Sequence, residues 1–168
     1  MAFQDFIHFY IFIYMFSCVA SEGTHCANGW IQHHDKCYFF SRVTVPWYSA
    51  SAFCVAYGGR LAEPVTQEEV TFLSRESIQI GNGKDYYLGV TDAFLEGEWV
   101  YAFSKTPVTV HIPWVVGGPD NYHEEDCAAI DSSNTNHGQW TDVPCNSPLY
   151  FICEYNLNAD FSAGSVIG

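Results

Sequence analysis

The chain has 168 residues, 48% hydrophobic and 17% aromatic, with 19 Asp and Glu against 6 Lys and Arg. That length holds one ordinary domain. A net charge of −13 argues against nucleic acid and anionic membrane as partners, since both need a basic face.

In chain order, Phe6 to Phe16 form an apolar run broken only by His8, and Cys18, Val19 and Ala20 place small side chains before Ser21. This reads as a signal peptide over residues 1–20, cut at Ala20/Ser21. The run is short for a membrane span of about 20 residues, so the expected location is secreted and extracellular, with no membrane insertion. Residues 21–25 make a short polar leader and 26–155 the folded unit. Residues 156–168 are small, polar and aperiodic, a flexible tail. Trp47, Ala50, Phe53, Cys54 and Tyr57 recur at helical spacing, and Gly58-Gly59 supplies a left-handed stop. A second helix is predicted over 66–76, opened by a capping box of Thr66 and Glu69. Short aromatic and β-branched runs predict strands over 37–40, 86–91, 99–103, 139–141 and 150–155, with Gly97 in a turn. From Phe103 to Trp140, Pro107, Pro113, Pro119 and several glycines break regular structure. A loop this long in a small domain is usually functional.

Loss of residues 1–20 removes Cys18 and leaves Cys26, Cys37, Cys54, Cys127, Cys145 and Cys153. An even count behind a signal peptide reads as a disulfide framework. Spacing alone leaves 15 pairings open. The mature chain then carries 18 Asp and Glu against 6 Lys and Arg, a net of −12.

Several motifs together resemble the C-type lectin-like domain family over about residues 26–155. Tyr87-Leu88-Gly89-Val90 stands at the family's Trp-Ile-Gly-Leu core strand. The segment from Trp114 to Cys127, WVVGGPDNYHEEDC, has its long-loop rhythm, and Trp140-Thr141-Asp142 is similar to its Trp-Asn-Asp. The resemblance implies an α+β fold with two helices, small antiparallel sheets and a long stapled loop. It also implies the pairings Cys26-Cys37, Cys54-Cys153 and Cys127-Cys145.

It further implies Ca²⁺, held by oxygen ligands in two adjacent groups. Asp92, Glu96, Asn121, Glu125 and Asp126 match the positions of an auxiliary site. At the primary site, where family members bind sugar, the Glu-Pro-Asn or Gln-Pro-Asp motif is replaced by Gly118-Pro119-Asp120, and Thr141 stands at an Asn position. Gly118 brings no side-chain oxygen, so the site is depleted to Asp120, Glu125 and Asp142. The same three residues are the sugar-binding candidates, and Asp120 leans towards galactose-type ligands. In the family the bond before this proline is cis.

Two functions follow. One is a secreted, calcium-dependent carbohydrate-binding lectin of innate immune recognition, with glycans as partners. The other is a protein- or mineral-surface-binding module with structural calcium and no sugar chemistry, which the loss at Gly118 and Thr141 favours. No Ser elbow, HExxH, P-loop or dinucleotide motif occurs, so an enzyme is not expected. Trp114 and Trp140 flank the loop as candidate sugar platforms. His33, His34, His111, His123 and His137 lack helical ligand spacing and read as surface or loop residues.

Overall fold

In a computed structural model, which describes residues 25–120, 124–133 and 135–158, strand β4 (Tyr86–Thr91) is buried along its whole length. The expected signal segment, most of the leader and most of the tail lie outside the described residues. Around β4 the described chain arranges β1 (Ile31–His33), β2 (Lys36–Phe40), helix α1 (Trp47–Ala56), β3 (Arg60–Leu61) and helix α2 (Gln67–Gly81). These are followed by β5 (Val100–Tyr101), β6 (Cys127–Ile130), β7 (Trp140–Val143) and β8 (Tyr150–Asn156). The sheet runs β1-β2-β8-β4-β6-β7, with β3 on β8 and β5 on β4. Among the described strand pairs the β4–β8 contact, Tyr86 opposite Tyr150 and Tyr87 opposite Phe151, is parallel and the others antiparallel, and an isolated bridge between Trp114 and Trp140 is parallel too.

Alternation along the strands sends side chains to two cores, as a period of two requires. Tyr86, Leu88 and Val90 of β4, with Tyr38, Ile130, Ile152 and Val70, Phe72 and Leu73 of α2, fill one. Tyr87, Ala129, Phe151 and Cys153 turn the other way to meet Trp47, Ala50 and Cys54 of α1. The indole Nε1 of Trp47 donates to the Leu88 carbonyl at 2.8 Å and pins α1 to the core strand.

Helix α1 ends as expected, with Gly58 at φ 78° and the Gly59 amide bonded to the Cys54 carbonyl at 2.9 Å. Helix α2 opens on the expected capping box: Glu69 N donates to Thr66 Oγ1 and Thr66 N to Glu69 Oε2. It runs five residues past the predicted end at Glu76. Ser77 is fully buried and satisfies its hydroxyl on the Leu73 carbonyl at 2.7 Å, so the helix continues to a left-handed Asn82. The larger correction is β6, which lies inside the stretch read as irregular. Cys127 to Ile130 are fully buried between β4 and β7. Four residues with two alanines carry too little β signal to register.

The three disulfides join Cys26 to Cys37, Cys54 to Cys153 and Cys127 to Cys145. The second spans 99 residues and ties α1 to β8. In the chain-entropy model a loop of that size is worth about 4.7 kcal/mol.

Beside it lies a buried charge network. Glu154 of β8 is fully buried and accepts from Arg60 Nε of β3 at 2.9 Å, with Lys36 Nζ of β2 at 3.4 Å. Lys36 also pairs with Glu69 of α2 at 2.5 Å, and the Tyr38 hydroxyl donates to Glu69 at 2.9 Å. Burial pushes the Glu154 carboxyl above its ordinary range, against the pull of Lys36 and Arg60. Glu69, also resisting burial, is held below its ordinary range by Lys36.

Removing one partner strands the others in a poorly solvated place. Glu154→Ala is therefore expected to cost about 3–5 kcal/mol, read as a fall in the urea midpoint. The exposed Glu98→Ala should stay within about 0.5 kcal/mol.

Candidate functional site

The long loop leaves β5 and is held to β7 by backbone. Trp140 N donates to the Pro113 carbonyl at 2.9 Å, and Val115 N to the Trp140 carbonyl at 2.8 Å. Gln139 Nε2 adds a bond to the Trp114 carbonyl at 3.1 Å. Trp114 sits between Trp99, at 4.8 Å between ring centroids, and Trp140, at 6.4 Å edge-on. Trp140 is fully buried. It supports the loop from beneath and cannot serve as a sugar platform, whereas Trp114 is half-buried.

Above this support the chain turns through Val116, 99% exposed, and the Gly118 amide closes on the Val115 carbonyl at 3.0 Å. The Gly118-Pro119 bond is cis. Asp120 follows, and its amide donates to Asp142 Oδ2 at 2.7 Å. Asp142, on β7, is only 5% exposed. Asp120, Glu125 and Asp142 each place a carboxylate oxygen so that all three lie within 4.8 Å of one another. Like charges gathered this closely repel in the absence of a cation. An all-oxygen set of this kind fits a hard ion such as Ca²⁺.

The residue preceding this cluster is informative through what it lacks. A Cβ built on Gly118 would stand 3.5 Å from Asp142 Oδ1 and 3.1 Å from Val115 Cγ2. A side chain here would start beside the Asp142 carboxylate, and Val115 Cγ2 would need to give by only a few tenths of an ångström. The missing oxygen is thus missing from the site itself. Thr141 turns its hydroxyl to the Asp142 carbonyl at 3.2 Å.

The other acidic group is more open. Asp92 accepts from the Gly97 amide on Oδ2 at 3.0 Å, while its buried Oδ1 has no hydrogen-bond partner. Burial raises the Asp92 pKa, and Glu96 and Asp126 raise it further. Asp126 is positioned through its backbone: its carbonyl accepts from Thr91 Oγ1 at 2.6 Å and from Asp92 N at 3.2 Å. The orphaned Oδ1 and the two neighbouring carboxylates fit a cation. Among the described residues, however, Asp92, Glu96 and Asp126 do not gather to the spacing of the first group. Asn121 lies outside the described residues, as do Tyr122, His123 and Asn134. Thr91 was not among the sequence candidates. Its place at the end of the core strand, next to Asp92, was the available signal.

A lectin C-type domain model matches residues 43–155. The chain belongs to the C-type lectin domain family. Mouse C-type lectin domain family 4 member E is 37% identical over 131 residues, which take in 77% of this chain and 59% of that protein. The chain thus spans less than two thirds of the length of such curated relatives. Among solved structures, the human scavenger receptor C-type lectin carbohydrate-recognition domain superposes with a TM-score of 0.70 at 30% identity, covering 79% of this chain and 99% of that one. The cow CD23 carbohydrate-recognition domain, solved in the presence of a GlcNAc2Man3 oligosaccharide, gives 0.68 at 28% identity, covering 79% and 96%. The expected C-type lectin-like α+β fold and the family assignment both hold.

Gly118 tests how the cluster works. Gly118→Glu adds a carboxylate on a side chain that starts beside Asp142. It should raise Ca²⁺ affinity about tenfold, or ~1.4 kcal/mol, measured by isothermal titration. Val116→Glu, at a neighbouring position that is 99% exposed, should leave the affinity unchanged.

Proposed function

We propose that this domain is a secreted, calcium-dependent carbohydrate-binding lectin whose sugar site is the Asp120–Glu125–Asp142 cluster. The observation that carries this reading is the convergence of those three carboxylates on one spot, rimmed by the cis Gly118-Pro119 turn. In this reading Asp120, Glu125 and Asp142 hold a Ca²⁺ ion, and vicinal sugar hydroxyls complete its shell while donating hydrogen bonds to the same carboxylates. Water and backbone fill the place that Gly118 leaves empty, so the ion is held more weakly than a full set would hold it. Asp120, one residue after Pro119, favours galactose-type sugars. Asp92, Glu96, Asn121 and Asp126, with Glu125, serve a second ion that orders the loop. The orphaned buried Asp92 Oδ1 supports this part of the reading.

A second reading rests on Gly118. Without a side-chain oxygen there, the same fold serves as a protein- or mineral-surface-binding module with structural calcium alone, and a mature charge of −12 suits a basic partner.

A glycan array probed with the mature chain in Ca²⁺ and again in EDTA separates the two. The lectin reading expects signal, weighted to galactose-type glycans, that disappears in EDTA. It also expects a loss of about tenfold or more in Asp142→Asn, which keeps an acceptor for the Asp120 amide but removes one of the three carboxylate charges. Folded protein that stays silent in both conditions would replace the lectin reading with the second one.

A further inference from the structure

We propose a zinc-class transition-metal site at His33, His34 and Glu68, on the β1–β2 hairpin and the first turn of α2, made of residues separate from the acidic loop. Neighbouring residues of a strand point to opposite faces, so two adjacent histidines would not ordinarily share a ligand. Here β1 ends at His33, and the two-residue turn of His34 and Asp35 leads into Lys36. His34 adopts φ 55°, which swings its ring back until the two imidazole centroids are 4.3 Å apart. On the other side, His33 lies flat on Phe72, 4.1 Å between rings and 6° between planes. Phe72 stands one helical turn after Glu68, so the same face of α2 that supports the His33 ring also brings up the carboxylate. Glu68 Oε1 is 2.9 Å from His34 Nε2.

One donor atom from each of the three residues falls within 4.8 Å of the others. Donors at about 2.05 Å from a tetrahedral ion stand roughly 3.3 Å apart, and the exposed His34 and Glu68 side chains are the ones placed to close on the His33 ring that Phe72 supports. The second observation concerns a member of the cluster itself. His33 Nε2 is buried and hydrogen-bonds to nothing, although buried polar atoms are ordinarily satisfied. Two imidazoles and one carboxylate form a borderline-soft set that suits Zn²⁺ and disfavours Ca²⁺, which takes oxygen. The His34 and Glu68 side chains are 61% and 67% exposed, which leaves an open coordination position to solvent. The α2 capping box fixes the helix turn that carries Glu68.

The test is isothermal titration of Zn²⁺ into the mature chain with saturating Ca²⁺ present, so that the acidic loop is already occupied by the ion it prefers. Histidine side-chain NMR follows the same titration. The expected result is one Zn²⁺ per domain, with the His33 and His34 ring signals moving together. Because His33 packs on the core, the variants are the exposed residues: His34→Asn, since Asn tolerates the left-handed conformation, and Glu68→Gln. Both should keep the wild-type thermal midpoint in the absence of metal and lose Zn²⁺ affinity by at least about tenfold. His111→Ala and His137→Ala should lose none. No zinc uptake, or uptake that His34→Asn and Glu68→Gln leave unchanged, overturns the assignment.

Discussion

A single carboxylate with no access to water, Glu154, constrains most of the architecture. It sits on β8 and is met by Arg60 from β3 and Lys36 from β2. Lys36 is shared in turn with Glu69, whose other contacts cap α2. A buried ion costs several kcal/mol unless its partners are correctly placed. This network therefore tolerates little displacement of four elements that are distant in sequence. It lies next to the Cys54–Cys153 bridge, so the covalent staple and the charge network restrain the same strand from opposite sides. The long loop can be irregular because the scaffold beneath it does not depend on it for register.

The loop in turn is irregular only along its outer edge. Its inner edge follows β7 through the backbone bonds of Pro113 and Val115 to Trp140, and the tilted and edge-on rings of Trp99, Trp114 and Trp140 fill the space below. Asp142 joins the two levels. It belongs to a regular strand, is buried, and accepts the amide of Asp120 from the loop. The carboxylate cluster is thus built on one rigid member with two loop members brought to it.

Much of this could be read from the residues, and the failures have physical causes. The capping box at Thr66 and Glu69 and the left-handed stop at Gly58 are local chemistry, and both stand in the structure. Strand β6 was not legible because its evidence is tertiary: Cys-Ala-Ala-Ile becomes a strand by insertion between β4 and β7. Trp140 read as a surface candidate because loop aromatics often are, whereas burial depends on what packs over it. In the acidic segments, composition identified the carboxylates without separating them into a tight group and a looser one. That separation depends on the turn at Gly118-Pro119 and on the Thr91 hydroxyl holding Asp126. The pairing of His34 with Glu68 joins a hairpin turn to a helix start 34 residues away, beyond any local pattern.

The backbone attachment of the loop also decides which of its positions can be exchanged. Its main anchors are main-chain amides and carbonyls, together with a cystine at its base. None of them depends on which side chains occupy positions 116 to 120. Val116, almost fully exposed, can therefore be exchanged with little penalty to folding, whereas Gly117, at φ 95°, and Pro119, after a cis bond, are held by the backbone conformation of the turn. At position 118 a glycine stands beside an assembled carboxylate cluster, so the oxygen set at the site can differ there while the attachment of the loop is kept.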